Sequence, residues 1–122
     1  MLKYSSFLLN FNFIFLAIEN IRYECYQKSL PLPKICILDI DAHFGDGTAW
    51  WFYDKKNIYT MSIHVDQTSF FPFLSGKANE RGFHEGSGFC LNIPLPSNSG
   101  DFEVNKILNL KFVTWGKSQV FF

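Results

Sequence analysis

The feature that most constrains the fold is a continuous apolar run at residues 35–38 (ICIL), which ends directly at Asp39. A run without polar alternation is typical of a strand that is buried on both faces, as in a parallel sheet. Comparable runs predict two more strands, and the last residues of the chain predict the beginning of a fourth. These three segments are residues 58–63, 89–93 and 120–122.

Helical signals alternate with the predicted strands. Pro31 and Pro33 end a first helical segment, and Asp101 is a capping residue for a later one. The predicted helices cover residues 15–28, 49–54 and 101–110. This order predicts an α/β fold, a mainly parallel sheet flanked by helices in αβα layers. Few helices are available to cover such a sheet, so residues 1–122 form either a minimal domain or part of a larger one.

Residues 7–18 near the amino terminus are apolar enough to suggest a signal peptide or a membrane helix. The stretch is shorter than the ~20 residues that span a bilayer, and Asn10 and Asn12 interrupt it. No small-residue cleavage site follows it. We therefore expect a helix packed on a core, and no membrane partner. The apolar positions recur at helical intervals at Phe15, Ile18, Ile21 or Arg22, and Cys25.

Charge and cysteine content exclude several classes of function. Eleven Lys and Arg balance eleven Asp and Glu, so the chain lacks the excess of cations that binds nucleic acid or an anionic membrane. The three cysteines are an odd number, widely spaced and without a C-x-x-C pair. A disulfide framework and a cysteine zinc site are therefore not expected, and a reducing cytoplasm is the predicted location.

The densest chemical feature is the segment 39–43 (DIDAH), which directly follows the first predicted strand. In extended chain, the side chains of Asp39, Asp41 and His43 project to one side. Adjacent carboxylates repel unless a cation or a proton joins them, and a mixed oxygen and nitrogen set suits zinc or a similar ion. Open α/β sheets also place ligands at the carboxyl ends of strands. The alternative is that these are only capping and turn residues.

Other motifs fit this segment less well. An EF-hand loop that begins at Asp39 needs Gly and Glu where the chain has Phe44 and Trp50. The D-x-D pattern resembles that of haloacid-dehalogenase-type phosphatases, where the first Asp is a nucleophile and the second an acid. Those enzymes usually have Thr or Val at the position of His43. A zinc-protease H-E-x-x-H helix does not occur in the sequence.

An ordered series of short motifs continues the segment and makes it specific. The motifs lie at residues 39–48, 52–54, 62–64, 70–72, 86–89, 92–96 and 100–101. In this order they resemble the histone deacetylase family, which includes bacterial acetylpolyamine amidohydrolases and acetoin-utilisation-type proteins. The resemblance covers residues 35–101 and, more loosely, the helix at residues 13–28. Residues 71–82 are most similar to the acetylpolyamine branch.

The resemblance implies a partial arginase–deacetylase fold, with residues 1–122 as a single incomplete domain of that family, and a zinc-dependent deacetylase or amidohydrolase. In that family the second Asp and the His of D-x-D-x-H bind zinc, which gives these roles to Asp41 and His43. The first Asp orients a catalytic histidine, which would be the role of Asp39. The acidic residue of the following Gly-Asp-Gly turn supports a second histidine, which would be the role of Asp46. Without the family, Asp46 is equally well explained as a plain helix cap.

The resemblance also implies a substrate contact and a second ion. A Phe before Pro lines the acyl-lysine tunnel in the family, which points to Phe71, whereas Phe70 is expected to pack. The implied substrate is a small acetylated amine or an acetyl-lysine peptide. A structural potassium ion is implied by oxygens, several of them backbone carbonyls, at matching positions. Those positions are Asp39, Asp41, His43, Ser62 and Ile63.

Other parts of the family's centre have no counterpart in the sequence. The third zinc ligand and the oxyanion tyrosine would lie beyond Phe122, and the paired catalytic histidines would lie upstream of the first helix. We expect His64 to be a packed strand-end residue and His84 a solvated loop residue, rather than replacements. A truncated form is therefore expected, which binds zinc weakly and is inactive alone. The alternatives are an inactive remnant or interaction fragment of this fold and, more distantly, a D-x-D phosphatase-like hydrolase.

Overall fold

Helices and strands alternate along the chain, as the sequence predicts. A computed structural model describes the backbone of residues 3–118 and the side chains of residues 13–111. The chain consists of two compact units, Met1–Ile35 and Cys36–Phe122. In chain order, the elements are α1 (Lys3–Gln27), β1 (Ile35–Asp39), α2 (Asp46–Phe52), β2 (Ile58–Val65), a short 3-10 helix (His84–Gly86), β3 (Cys90–Leu95) and α3 (Asp101–Ser118).

The first unit consists mainly of α1, which begins well before its predicted start at Phe15. The apolar stretch 7–18 contains neither Pro nor Gly, so nothing in it interrupts the helix. The predicted helical pattern is confirmed for the described side chains: Ile18 is buried, and Phe15, Arg22 and Cys25 are half-buried. None of the helices in the described residues is both long enough and apolar enough to cross a membrane.

The second unit is built on a sheet with the strand order β1-β2-β3. β2 and β3 pair in parallel, with Thr60 opposite Cys90 and Val65 opposite Leu95. β2 is the middle strand, and each of its residues except Val65 is buried. The predicted α/β fold with a parallel sheet is therefore confirmed. Both strands continue two residues further than predicted, because the parallel pairing extends to His64 opposite Pro94 and Val65 opposite Leu95.

β1 has its predicted position but is less buried than predicted. Ile37 is its one buried residue, and Leu38 is exposed. β1 is an outer strand of the described sheet, where fewer elements are available to cover its faces. The prediction of a strand buried on both faces is therefore wrong for residues 35–38, although it is correct for β2.

Core clusters cover both faces of β2 and β3, as the alternation of side chains in a strand requires. One cluster consists of Tyr59, Met61 and Leu91. The other consists of Phe44, Ala49 and Cys90. Ala49 belongs to α2, so this helix contributes to the layer over one face of the sheet. Burial on two faces is what a helix–sheet–helix architecture needs.

α2 and α3 also differ from their predicted bounds. α2 begins at Asp46 rather than at residue 49, with Gly45 as its N-cap. The backbone N–H of Gly47 donates to Asp46 Oδ1 at 2.7 Å, and a carboxylate in the first turn favours the helix dipole. α3 begins at Asp101 as predicted and continues past residue 110 to Ser118. The predicted strand at 120–122 lies outside the described residues.

The buried phenol of Tyr59 makes the stability of the second unit fall at alkaline pH. Burial raises the pKa of the Tyr59 phenol from 10.0 to about 12. Between these values the unfolded chain releases the proton and the folded chain keeps it, so the stability present below pH ~10 is lost as the pH rises towards ~12. We expect the free energy of unfolding, measured with urea, to fall less steeply across this range in Tyr59→Phe than in the wild type.

Tyr23→Phe is the matched control, because Tyr23 is an exposed residue of α1. It should keep the pH dependence of the wild type. An equal alkaline loss of stability in all three chains would contradict the prediction.

Candidate metal centre

The segment after β1 turns back on itself through side-chain-to-backbone hydrogen bonds. Asp39 Oδ1 accepts from the backbone N–H of Asp41 at 2.9 Å, and Asp41 Oδ1 accepts from that of His43 at 2.8 Å. Both are Asx-type turns, in which a carboxylate binds the backbone two residues on. The backbone N–H of Val65 donates to the Ala42 carbonyl at 3.0 Å, which fixes this segment beside the end of β2. The extended conformation assumed from the sequence therefore ends at Asp39.

Asp41 and His43 are brought together by these turns. His43 Nδ1 lies 3.1 Å from Asp41 Oδ1, and both side chains are about half exposed, at 45% for His43 and 54% for Asp41. Two ligands of a tetrahedral zinc ion at about 2.0–2.1 Å lie about 3.3 Å apart. The pair therefore fits two positions of a zinc site. In the part of the chain that the structure describes, no group of three or more His, Cys, Asp or Glu residues converges on such a site.

Asp39 is half-buried behind this pair. Burial raises the pKa of its carboxyl group, and the hydrogen bond from the Asp41 N–H opposes that shift. A methyl group at Gly45 would collide with Asp39 Oδ2. The carboxylate is thus held between a backbone donor and a residue that has no side chain. That arrangement favours a positioning role for Asp39.

Two aromatic rings lie against His43. The Phe70 ring stacks on the imidazole with centroids 5.0 Å apart, and the Phe71 ring meets it edge-on at 6.2 Å. Phe71 is 54% exposed, which leaves much of its face accessible to a ligand. The sequence predicts packing for Phe70 and substrate contact for Phe71. The structure places both rings beside the candidate metal ligand.

His64 lies inside the second unit rather than in the candidate centre. Its Nε2–H donates to the Gly76 carbonyl at 3.0 Å, so Nδ1 accepts from the Ser62 hydroxyl at 2.8 Å. Burial lowers the pKa of the imidazole. His64 is 2% exposed, whereas His84 is exposed in the 3-10 helix. The predictions of a packed His64 and a solvated His84 are both confirmed.

The residues expected around a potassium ion lie on two adjoining segments. Asp39, Asp41 and His43 belong to β1 and the turns after it, and Ser62 and Ile63 belong to the neighbouring strand β2. Both β2 residues are buried. The Ser62 hydroxyl hydrogen points to His64, so lone pairs of that oxygen are available to another partner.

Sequence reasoning missed two glycines with close contacts, one in the centre and one beside His64. Gly45 makes room for the Asp39 carboxylate. Gly76 has φ +73°, and a methyl group there would meet His64 Nε2 and the Phe44 ring at 2.7 Å. The sequence places Gly45 between the candidate ligands and α2, which is a weak indication that it matters. That a glycine is required there depends on its contact with Asp39, which the sequence does not show.

Comparison with known proteins identifies the family. A model of the histone deacetylase domain matches residues 10–117. The chain belongs to the histone deacetylase family. The chain is 38% identical over 68 residues to a curated relative, an acetylpolyamine amidohydrolase of Burkholderia pseudomallei. This match covers 56% of the chain and 20% of the relative. The chain is 43% identical over 68 residues to the acetoin utilization protein AcuC of Staphylococcus aureus, covering 56% and 17% respectively.

Solved structures support the same assignment. The histone deacetylase homologue of Aquifex aeolicus superposes with a TM-score of 0.67 at 33% identity, over 80% of this chain and 26% of that one. The acetylpolyamine amidohydrolase of B. pseudomallei superposes with a TM-score of 0.64 at 31% identity, over 69% of this chain and 25% of that one. These matches confirm the predicted partial arginase–deacetylase fold. The chain spans about a fifth of the length of the curated relatives it matches.

The contact between Gly45 and Asp39 can be tested by adding one methyl group. Gly45→Ala should lower the free energy of unfolding by about 1–3 kcal/mol, because the new Cβ overlaps Asp39 Oδ2 and either the carboxylate or the turn must move. Gly100→Ala is the control, since a methyl group there has no heavy atom within 4 Å. It should change stability by less than ~0.5 kcal/mol in the same urea titration. Equal stability of the two variants would contradict this account of Gly45.

Proposed function

We propose that this chain carries part of the catalytic centre of a zinc-dependent amidohydrolase that removes acetyl groups from acetylated amines. The observation that supports it most is the pair of His43 Nδ1 and Asp41 Oδ1, 3.1 Å apart at the carboxyl end of a strand. Membership of the histone deacetylase family gives the pair its chemical context. The same membership removes support from the D-x-D phosphatase alternative.

Asp41 and His43 would hold the zinc ion. When bound, zinc supplies a Lewis acid for the acetyl carbonyl and lowers the pKa of a coordinated water. Asp39 would position this pair, because its carboxylate binds the backbone N–H of Asp41. In the proposal, Asp39 and Asp46 also orient histidines that act as proton acceptor and donor. The half-buried carboxylate of Asp46 has one described bond, to the N–H of Gly47, so it retains lone pairs for such a partner.

Phe71 would line the path of the acetylated chain. Its exposed ring stands edge-on to His43 at 6.2 Å, so an aliphatic chain that reaches the metal would pass along an apolar wall. The name of the Burkholderia relative supports a small acetylated polyamine as substrate, and the name of histone deacetylase 8 from Arabidopsis thaliana supports an acetyl-lysine peptide. Both substrates present an acetylated primary amine on a flexible aliphatic chain.

The proposal includes a potassium ion held by oxygens of Asp39, Asp41, His43, Ser62 and Ile63. Its support is the adjacency of β1 and β2 and the buried Ser62 oxygen. A reducing cytoplasm is proposed as the location, which is consistent with Cys25, Cys36 and Cys90 all being free thiols.

The first test is zinc affinity. Competition with a chromophoric chelator should show weak zinc binding by the wild-type chain, because two protein ligands fill only part of a zinc shell. His43→Ala and Asp41→Ala should each lower that affinity by at least about tenfold. His84→Ala is the control, because this exposed histidine lies in a different segment, and it should leave the affinity unchanged. Wild-type affinity in the His43→Ala chain would contradict the metal assignment.

The second test is turnover by a chimera. Residues 35–101 would replace the matched segment of the Burkholderia acetylpolyamine amidohydrolase, and hydrolysis of N-acetylputrescine would be followed by the release of acetate. We expect activity that His43→Ala abolishes, and Phe71→Ala should raise KM because the apolar wall is lost. Phe83→Ala is the control, since this ring packs near Tyr53 and His84 rather than near His43.

A folded, zinc-loaded chimera without activity would contradict the proposed function. Magnesium-dependent release of phosphate from p-nitrophenyl phosphate would favour the phosphatase alternative instead. The 122-residue chain alone is expected to give no turnover, and turnover that His43→Ala abolishes would overturn that expectation.

A further inference from the structure

A second polar cleft lies beyond the carboxyl ends of β2 and β3. It has a volume of about 270 Å³ and is lined by residues 66–68, residues 74–78 and Pro94. We call it the Gln67 cleft. None of its lining residues belongs to the candidate metal centre or to the expected potassium site. Parallel α/β sheets bind ligands at this edge, so the cleft lies where a ligand site is expected.

Gln67 supplies an acceptor that has no partner among the described residues. The side chain is 2% exposed, and its Nε2–H donates to the Val65 carbonyl. That bond fixes the orientation of the amide, because the opposite orientation would place two oxygens together. Gln67 Oε1 is then buried without a hydrogen bond to any described residue, and so is the Ser75 hydroxyl oxygen. Buried acceptors of this kind need a donor from water or from a ligand.

A carboxylate adds negative charge at the same cleft. Asp66 lines it, and the Asp66 Oδ1 atom accepts from both the backbone N–H and the hydroxyl of Thr68. Those two bonds lower the pKa of the Asp66 carboxyl group, so the group is negative at neutral pH. The residues that line the cleft thus include a buried amide oxygen and a buried hydroxyl oxygen without a described partner, and a carboxylate. A primary ammonium group carries three N–H donors and no acceptor, which complements these three oxygens.

We propose that the Gln67 cleft binds the protonated primary amine of a small alkylamine. Gln67 Oε1 and Ser75 Oγ accept two of the N–H groups, and Asp66 supplies the opposite charge. Lys77 also lines the cleft and is exposed. The cationic side chain of Lys77 disfavours a second cation nearby. Removing it should therefore strengthen the binding of a cation and weaken the binding of an anion, which tests the charge of the ligand directly.

A single loop connects this cleft to the candidate metal centre. Within it, Phe70 and Phe71 contact His43, whereas Gln67 and Leu74 line the cleft. The backbone N–H of Leu74 donates to the Gln67 carbonyl at 3.0 Å, which closes the loop between the two. The amine could therefore be the far end of an acetylated diamine, an assignment that rests on the proposed function, or a free polyamine.

Putrescine, which has no acetyl group, is the probe for the ammonium site. Titration of the isotope-labelled 122-residue chain should shift the backbone NMR signals of Gln67, Ser75 and Gly76. Gln67→Leu and Ser75→Ala should each weaken binding by about tenfold, because each removes a hydrogen bond to a charged donor. Gln27→Leu, the same change at the exposed end of α1, should have no effect. Lys77→Met should tighten binding.

The outcomes separate this inference from the proposed function. Signals that do not move with putrescine, or weaker binding in Lys77→Met, would overturn the ammonium site whatever the chimera does. If Gln67→Leu does not fold, Ser75→Ala and Lys77→Met still decide the result. Loss of zinc binding or of chimera turnover, with putrescine binding intact, would count against the proposed function alone.

N-acetylputrescine distinguishes the two sources of the amine. Shifts at both Phe71 and Gln67 on adding N-acetylputrescine would assign the cleft to the far end of the substrate. Shifts at Gln67 but not at Phe71 would assign it to a free polyamine.

Discussion

The geometry of the candidate centre depends on carboxylates that bind the backbone of the residue two positions ahead. Asp39 accepts from the N–H of Asp41, and Asp41 accepts from the N–H of His43. The position of each candidate ligand is therefore set by the residue before it. The series is anchored at Asp39, which is half-buried against Gly45 at the end of β1. A carboxylate makes stronger hydrogen bonds to backbone N–H groups than a neutral acceptor does. These bonds therefore restrain the turn although its side chains are exposed.

The loop that follows β2 depends on buried polar contacts at its base. His64 donates to the Gly76 carbonyl, and the Gly76 N–H donates to the Glu80 carboxylate at 3.0 Å. Asn92 of β3, itself buried, donates to the Lys77 carbonyl at 3.3 Å. These bonds attach residues 76–80 of the loop to β2 and β3. Because this part of the loop is fixed, Phe70 and Phe71 can lie beside His43 although they are not buried in the core.

Much of this arrangement could be predicted from the sequence where a local period determines it. The bounds of β1, the position of β2 and the half-buried stripe of α1 all follow from apolar spacing. The approach of Asp41 to His43 was expected from the alternation of an extended strand, but the structure achieves it through turns. The exposure of Leu38 and the need for Gly45 could not be predicted, because each depends on what neighbouring elements cover or leave open. The early starts of α1 and α2 have local causes instead, the lack of Pro and Gly in residues 7–18 and the cap at Gly45.

The candidate ligand pair is a local structure, and this has a consequence for function. Asp41 and His43 are both about half exposed, and a contact between exposed polar side chains contributes little on its own because water competes with it. Their approach is therefore maintained by backbone hydrogen bonds within five residues rather than by mutual attraction. A segment of this kind can preserve the two candidate zinc ligands wherever β1 and its turns form. In the proposed enzyme, a third ligand, a proton acceptor and an oxyanion donor would come from other elements, so the geometry of the candidate ligands and catalytic competence would be separable properties.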